Sequence, residues 1–325
     1  MIYLESDSSD ANFNFALESY AMDELNIGDC YFMFWRTNPT LMAGRYQNIL
    51  AEINMPFAKE NNIHIVRRIT GGGTIYTDLN GWQFSFIVKT EGEKQINFGR
   101  FTKPVITALQ RLGVPAQAGD RNDLLIEGRK FSGNAQYVRK DLTLHHGSLL
   151  FDTNLENLVR ALTPDDEKLV SKGIKSVRQR VTNIAEYLDT KITSEEFRDL
   201  MLEYLLKDTE TYSLNSHDLQ RVKEISRDKF DSWEWNFGGN PKFNISKENR
   251  FPGGKLRADS LVKDGRIKRI SFSGDFFANK EPAALETALT GCLYEENAVR
   301  KALAENDAGS VFMNINLEQV LSCIV

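Results

Sequence analysis

Apolar residues recur along the start of the chain with two different periods, and the changes of period mark its elements. In "NFNFALESYAMDEL" Phe13, Leu17, Tyr20 and Leu25 fall near helical spacing, which predicts an amphipathic helix. "YFMFW" is a short aromatic run bounded by Asp29 and Pro39, the pattern of a buried strand. "NIHIVRRIT" is β-rich and stops at Gly71-Gly72-Gly73. Beyond the glycines, "TIYTDLNGWQFSFIVK" reads as two strands joined at Asn80-Gly81, a favoured hairpin turn. Trp82, Phe84, Phe86 and Val88 then alternate onto one face of the second strand.

The helical period returns in "FTKPVITALQRLG", with Phe101, Val105, Leu109 and Leu112 on one side and Gly113 as the stop. Three strands come next: "NDLLI", "KFSGNAQYV" and "LTLHHGSLLF". "LENLVRAL" is helical, and the stretch from Thr163 to Arg180 is polar and basic with weak periodicity, the pattern of a loop. "TSEEFRDLMLEYLLK" opens with the capping-box pair Thr193 and Glu196. After Asn240-Pro241 the character changes to a hairpin, "KLRADSLVKDGRIKRISF", and one helical segment, "EPAALETALTGCLYEENAVRKAL", with Pro282 in its first turn. The pattern predicts an α+β fold, a mixed sheet with flanking helices over residues 1–243, plus a small α+β domain over 244–325.

Composition narrows the partners. The 325 residues carry a net charge of −5, which excludes whole-molecule attraction to nucleic acid or an anionic membrane. No apolar run approaches the roughly 18 residues needed to span a bilayer, and the start has no basic-then-apolar leader pattern. The three cysteines, Cys30, Cys292 and Cys323, show no CxxC spacing, which suits a reducing compartment and a cytoplasmic protein.

Three glycines after Arg67-Arg68 cost unfolded-chain entropy unless bare backbone is needed there, which predicts a nest of N–H groups for a phosphate. No Gly-Lys-Ser/Thr comes after them and the glycines lie between strands, so this is not a Walker loop. In "GRKFSGNAQ" Lys130 begins a strand, and Ser132-Gly133 leaves room close to the backbone. His145 and His146 are neighbours in a strand and face opposite sides, so they do not grip one metal; one is expected at the surface and one packed. Asp123 is either a turn residue or a contact for a metal ion held mainly by phosphates.

Taken in order, "RRITGGGTIY", "RNDLLIEGRKFSGNAQ", "LHHGSLL", "KGIKSVRQRVTNI", "SWEWNFG" and "GCLY" span nearly the whole chain. With them the chain resembles the lipoate–protein ligase family in its long form with a C-terminal accessory domain, related in fold to biotin protein ligases. The resemblance implies ATP-dependent activation of lipoate to lipoyl-AMP, then transfer to a lysine of apo lipoyl domains, those of 2-oxoacid dehydrogenase complexes or glycine-cleavage H protein. It implies ATP and lipoate as substrates and Mg²⁺ with the ATP, and neither nucleic acid nor membrane as partner. Lys130 matches the family's catalytic lysine, contacting both the acyl carboxyl and the α-phosphate. Arg68, Gly73, Thr74, Ile75 and Tyr76 match the nucleotide segment. Leu17, Gly72, Gly133 and His146 are implied beside the lipoyl group, and Asp123 near Mg²⁺. Lys172, Lys175 and Arg178 match a segment that orders over the adenylate.

One position departs from the pattern: many relatives carry a histidine where this chain has Thr77. Two other readings compete. An octanoyl or lipoyl transferase of the same superfamily would need a reactive cysteine after the lysine strand, and none lies between Lys130 and Cys292. Against a non-catalytic binder of lipoyl-adenylate or of lipoyl domains stand the intact Lys130 and glycine segment, and lipoate-dependent ATP–pyrophosphate exchange separates the two.

Overall fold

The computed structural model describes residues 1–47, 49–89, 96–139, 141–162, 167–207, 209–237, 245–263 and 265–325, without the side chains of 50, 51 and 167–172. Along the chain run β1 (Ile2–Leu4), α1 (Ala11–Asp23), β2 (Cys30–Trp35), β3 (Thr40–Ala43), α2 (Ile49–Glu52), α3 (Met55–Glu60), β4 (His64–Arg67), β5 (Ile75–Thr77) and β6 (Gly81–Lys89). Then come α4 (Gly99–Arg111), β7 (Ala116–Ala118), β8 (Asp123–Ile126), β9 (Arg129–Arg139), β10 (Leu142–Leu150), α5 (Leu155–Leu162), α6 (Glu167–Arg180) and α7 (Ser194–Leu205). The remainder is β11 (Glu210–Tyr212), α8 (Ser216–Ile225), α9 (Trp233–Asn236), β12 (Ile245–Phe251), β13 (Gly254–Lys263), β14 (Arg266–Gly274), α10 (Pro282–Leu289), α11 (Glu296–Glu305) and α12 (Leu317–Ser322).

These elements divide into two units. The first is Met1–Met42, Leu50–Arg67 and Ile75–Asn236; the second is Ala43–Ile49, Arg68–Thr74 and Phe237–Val325. The division at 243/244 expected from sequence falls outside the described residues.

In the first unit an eight-stranded mixed sheet runs β11-β1-β2-β6-β10-β9-β8-β7, with β1 parallel to both of its neighbours. The alternation read in β6 sends Trp82, Phe84, Phe86 and Val88 into one core with Phe101, Val105 and Leu109 of α4 and Phe197 and Met201 of α7. On the other face, α1 packs over β6 and β10. Both sides of α1 are covered, so Phe15, Leu17 and Tyr20 are buried together with Asn14 and Glu18, and the expected polar stripe is absent from this helix. Thr193 and Glu196 form the expected capping box on α7.

Four expectations are corrected. β5 and β6 do not form a hairpin: β5 pairs with β3 in a separate three-stranded sheet, while β6 lies between β2 and β10. The turn at Asp78–Gly81 changes sheets because Asp78 is buried as a hub, its carboxylate accepting from the N–H groups of Asn80 and Asn154 at 3.0 Å each. Burial raises the Asp78 pKa above the ordinary carboxylate value. The basic stretch expected as a loop is helical over Glu167–Arg180. The tail helix breaks into α10 and α11 around Gly291, at φ 89°, so Cys292 sits in a turn. Finally, His145 and His146 do point to opposite faces, yet both are buried.

In the second unit β12, β13 and β14 form an antiparallel sheet. Leu256, Ala258, Ile270 and Phe272 pack there against Leu285 of α10 and Val299 and Leu303 of α11. Pro282 opens α10, as its fixed φ suits a first turn. The turn expected at Asp264 lies outside the described residues; Gly265 beside it has φ 68°.

Gly147 is steric rather than chemical. A Cβ there would collide with the Phe84 ring and Asn134 Oδ1, both held in the sheet. Gly147→Ala is therefore expected to cost about 1–3 kcal/mol of unfolding free energy, as overpacking does. Urea denaturation at an unchanged m-value checks it.

Candidate active site

Lys130 leads the site, and its direction comes from a break in strand register. β8 and β9 pair Leu124 with Ser132 but Leu125 with Lys130, which leaves Phe131 as an extra residue on β9. Phe131 is buried in the core shared with α4 and α7. The bulge re-aims the side chains on either side of it, as bulges do beside functional sites. Lys130 and Gly133, three positions apart, consequently converge: a Cβ on Gly133 would lie 3.2 Å from Lys130 Nζ. The room expected beside Gly133 is thus room for the Lys130 side chain.

The lysine is well held. Its Nζ lies 2.7 Å from Asp123 Oδ1, with both side chains about one-third exposed at 38% and 37%. Its carbonyl accepts from Thr182 N–H at 2.9 Å, tying β9 to the chain that leaves α6. Gly133 N–H donates to Ser148 Oγ of β10 at 3.3 Å. Neighbouring Arg129 turns away from Lys130 and meets Tyr187 and Glu186. A cavity of about 400 Å³ opens on that side, lined by Arg129, Asn154, Arg178, Asn183 and Glu186 among others.

A buried polar chain joins α1 to β2, β6 and β10. Trp35 Nε1 donates to Ser85 Oγ at 2.9 Å, and Ser85 Oγ donates to Glu18 Oε1 at 2.6 Å. His146 Nδ1 lies 3.0 Å from the same oxygen. Leu17 is the neighbour of Glu18 and is fully buried. Sequence reasoning misses Glu18, Trp35 and Ser85. A carboxylate inside an otherwise apolar helix, in "NFALESY", is the available signal.

His145 faces the other core. It stacks on Phe101 at 4.9 Å and lies 3.2 Å from Asn134 Oδ1 through Nε2 and 3.0 Å from Gln136 Nε2 through Nδ1. Burial holds its pKa well below the ordinary imidazole range, and the nearby His146 adds to this. It is a neutral structural residue.

The glycine segment belongs to the second unit, apart from Ile75 and Tyr76 in the first. Arg68 is buried, and its guanidinium is turned onto the segment itself. Nε donates to Thr70 Oγ1 at 3.0 Å, and Nη2 donates to the carbonyls of Gly71 at 2.9 Å and Gly73 at 2.8 Å. Gly72, at φ 92°, donates its N–H to the Phe276 carbonyl at 2.9 Å. A Cβ on Gly71 would meet that carbonyl oxygen at 2.5 Å, so a side chain is excluded there by close backbone approach. Thr74 Oγ1 donates to Gln47 Oε1 at 2.8 Å, and that oxygen also accepts from Gly44 N–H. In the first unit, the Tyr76 hydroxyl accepts from Asn157 Nδ2 at 3.1 Å.

Lys175 and Arg178 lie on α6, while the Lys172 side chain lies outside the described residues. Among the described residues no group of three or more His, Cys, Asp or Glu side chains is placed to hold a metal, and no helix is long and apolar enough to cross a membrane. Burial pushes the thiols of Cys30, Cys292 and Cys323 above their ordinary pKa.

Known proteins match this arrangement along its length. The model of the lipoyl protein ligase A/B catalytic domain matches residues 10–206, and that of the bacterial lipoate protein ligase C-terminus matches 240–324. Lipoate-protein ligase LplJ of Bacillus subtilis is 38% identical over 330 residues, covering 100% of each chain. In fold the chain is similar to P. falciparum LipL1, solved in complex with lipoate, with a TM-score of 0.82, 24% identity and coverage of 99% and 98% of the two chains. A bipartite lipoate protein ligase from Thermoplasma acidophilum, studied with its E2 lipoyl domain, aligns with a TM-score of 0.64 and 27% identity over 75% of this chain and 98% of that one.

The neutral His145 has a measurable consequence. Below about pH 6.5 the unfolded chain binds a proton there that the native state refuses, so stability falls by up to about 1.4 kcal/mol per pH unit. Urea unfolding of wild type and His145→Gln between pH 7 and 5 checks this: the variant is expected to lose that part of the acid slope.

Proposed function

The chain belongs to the lipoate–protein ligase family, and on that premise we propose how its own residues carry out ATP-dependent ligation. A lipoate carboxylate oxygen attacks the α-phosphorus of ATP, the bond to the β-phosphate oxygen breaks, and pyrophosphate leaves. The ε-amine of an acceptor lysine then attacks the acyl carbon of lipoyl-AMP. The amine gives up a proton, and AMP departs with the electrons of the mixed-anhydride bond.

The first step brings a carboxylate to a phosphate, and the repulsion between them is its main obstacle. Lys130 answers it: a compact ammonium with three donors can face carboxyl and α-phosphate oxygens together. The observation that carries this role is the bulge at Phe131, which aims Lys130 over a strip cleared of side chain at Gly133. Asp123, within 2.7 Å of Nζ, holds the ammonium in place before substrates arrive. Gly73, Thr74, Ile75 and Tyr76 hold the nucleotide mainly through backbone N–H groups, in a segment that Arg68 shapes by binding its carbonyls. Mg²⁺ enters with ATP, held mainly by phosphates, and would supply charge neutralisation; Asp123 is the carboxylate available to it.

Leu17, with Gly72, Gly133 and His146, is assigned to the lipoyl group. The buried chain through Glu18, Ser85 and Trp35 fixes the His146 ring and one wall for the acyl chain. Lys172, Lys175 and Arg178 of α6 cover the adenylate. The acceptors are apo lipoyl domains, by analogy with the Thermoplasma acidophilum protein and its E2 lipoyl domain. Glycine-cleavage H protein is a further acceptor, and the reaction is assigned to the cytoplasm. A cysteine-thioester transferase is disfavoured because burial raises the pKa of all three thiols, the opposite of what an activated thiolate needs.

Lipoate-dependent exchange of labelled pyrophosphate into ATP, without any acceptor, tests the first step directly. Lys130→Ala is expected to slow this exchange by roughly 100-fold or more, the scale of losing one transition-state donor. Its melting temperature should match wild type, since a one-third-exposed lysine contributes little packing. Exchange within about twofold of wild type would remove Lys130 from its role, since one donor is worth far more than that.

A further inference from the structure

Ser232 to Asn236 carry no chemistry in the proposed ligation, yet they make a dense set of contacts. α9 lies against the end of β4, 168 to 169 residues away in sequence. Arg67 N–H donates to Asn236 Oδ1 at 2.8 Å, and Trp235 Nε1–H donates to the Arg67 carbonyl at 2.8 Å. The Arg67 guanidinium returns the contact, Nε donating to the Trp235 carbonyl at 3.0 Å and Nη2 to the Asn236 carbonyl at 2.8 Å. Thus both backbone polar groups of Arg67 and its side chain are fixed by two consecutive residues.

Those two residues are themselves braced. Asn236 Nδ2 donates to the carbonyls of Phe230 at 2.7 Å and Ser232 at 3.2 Å, which determines that its oxygen faces Arg67. The Trp235 ring meets Phe230 edge-on at 6.0 Å, and Lys229 Nζ lies 4.6 Å from its centroid.

The peptide between Arg67 and Arg68 is where this matters. Its carbonyl is held by Trp235, and its N–H, that of Arg68, donates to the Ala43 carbonyl at 3.1 Å. The peptide is one rigid plane, so the held carbonyl sets the direction in which Arg68 leaves it. Arg68 in turn binds the carbonyls of Gly71 and Gly73. We propose that Arg67, clamped by Trp235 and Asn236, is a positioning residue that sets the plane from which Arg68 shapes the nucleotide segment. Arg67 is then not a phosphate ligand, although it is the first cation of the Arg-Arg-Ile-Thr-Gly-Gly-Gly stretch.

This inference rests on the ATP role given to the glycine segment, and its test separates the two. ATP affinity is measured by calorimetry on the full chain, alongside the lipoate-dependent exchange. Trp235→Phe keeps the ring and removes one donor; its ATP Kd and KM for ATP are expected to rise roughly three- to tenfold. The KM for lipoate, which meets this segment only at Gly72, should rise by clearly less than that for ATP, and Tm should shift by less than about 4 °C. Arg67→Lys keeps the charge but lacks the fork, and should weaken ATP by more than Trp235→Phe. Unchanged ATP binding in both variants overturns the proposal, as does a parallel rise in both KM values that tracks the loss of Tm. If wild type binds ATP but performs no exchange, the ligase mechanism fails while the Kd comparison still decides the role of Arg67. If wild type does neither, both readings fall.

Discussion

In a regular strand, residues three apart face opposite sides of the sheet, so Lys130 and Gly133 would not meet. The unpaired residue Phe131 brings them together, and the phenyl ring sunk into the core below fixes that irregularity. The ammonium is then held by Asp123 in front and by the Thr182 contact to its own carbonyl behind. Moving the bulge by one residue would turn the lysine into the aromatic core, away from Asp123 and Gly133. Around this point the sheet divides its labour. One face is packed solid against α4 and α7, and the other meets α1 through Leu17 and the Glu18–His146 pair.

The glycine segment solves a different problem, that of a backbone required to approach other atoms closely. Gly71 is excluded from carrying a side chain by a neighbouring carbonyl, and Gly72 by its positive φ and the Phe277 ring. The buried Arg68 compensates for what glycine lacks, stiffness, by tying two of the segment's carbonyls to one planar group. A cation in this stretch is thus used to bind the segment's own carbonyls.

Much of this was legible in the residues. The amphipathic spacing of α4 with Gly113 at its end, the Thr193–Glu196 capping box, and the three strands β8 to β10 obey local rules that each segment satisfies alone. Lys130 and the glycines stood out because their types are unusual where they occur. What escaped depends on partners distant in sequence. The Phe131 bulge exists only relative to β8, and the change of sheet at Asp78 only because Asn154 caps the buried carboxylate. The buried Glu18 was hidden for the same reason: its meaning lies in Ser85 and His146 on two other elements.

The parallel pairing of β1 with both β2 and β11 has a bearing on biosynthesis. Ile2 to Leu4 pair with Tyr31 and Phe32 close by in sequence, yet their second neighbour, Glu210 to Tyr212, emerges some two hundred residues later. The same holds for Arg67, which waits for Trp235 and Asn236, and for Gly72, which waits for Phe276. On the ribosome, therefore, the segments assigned to the nucleotide are translated long before their partners. A nascent chain cannot close all of these contacts before Phe276 has been made, and the earlier side of each stays without its native partner until the later side emerges.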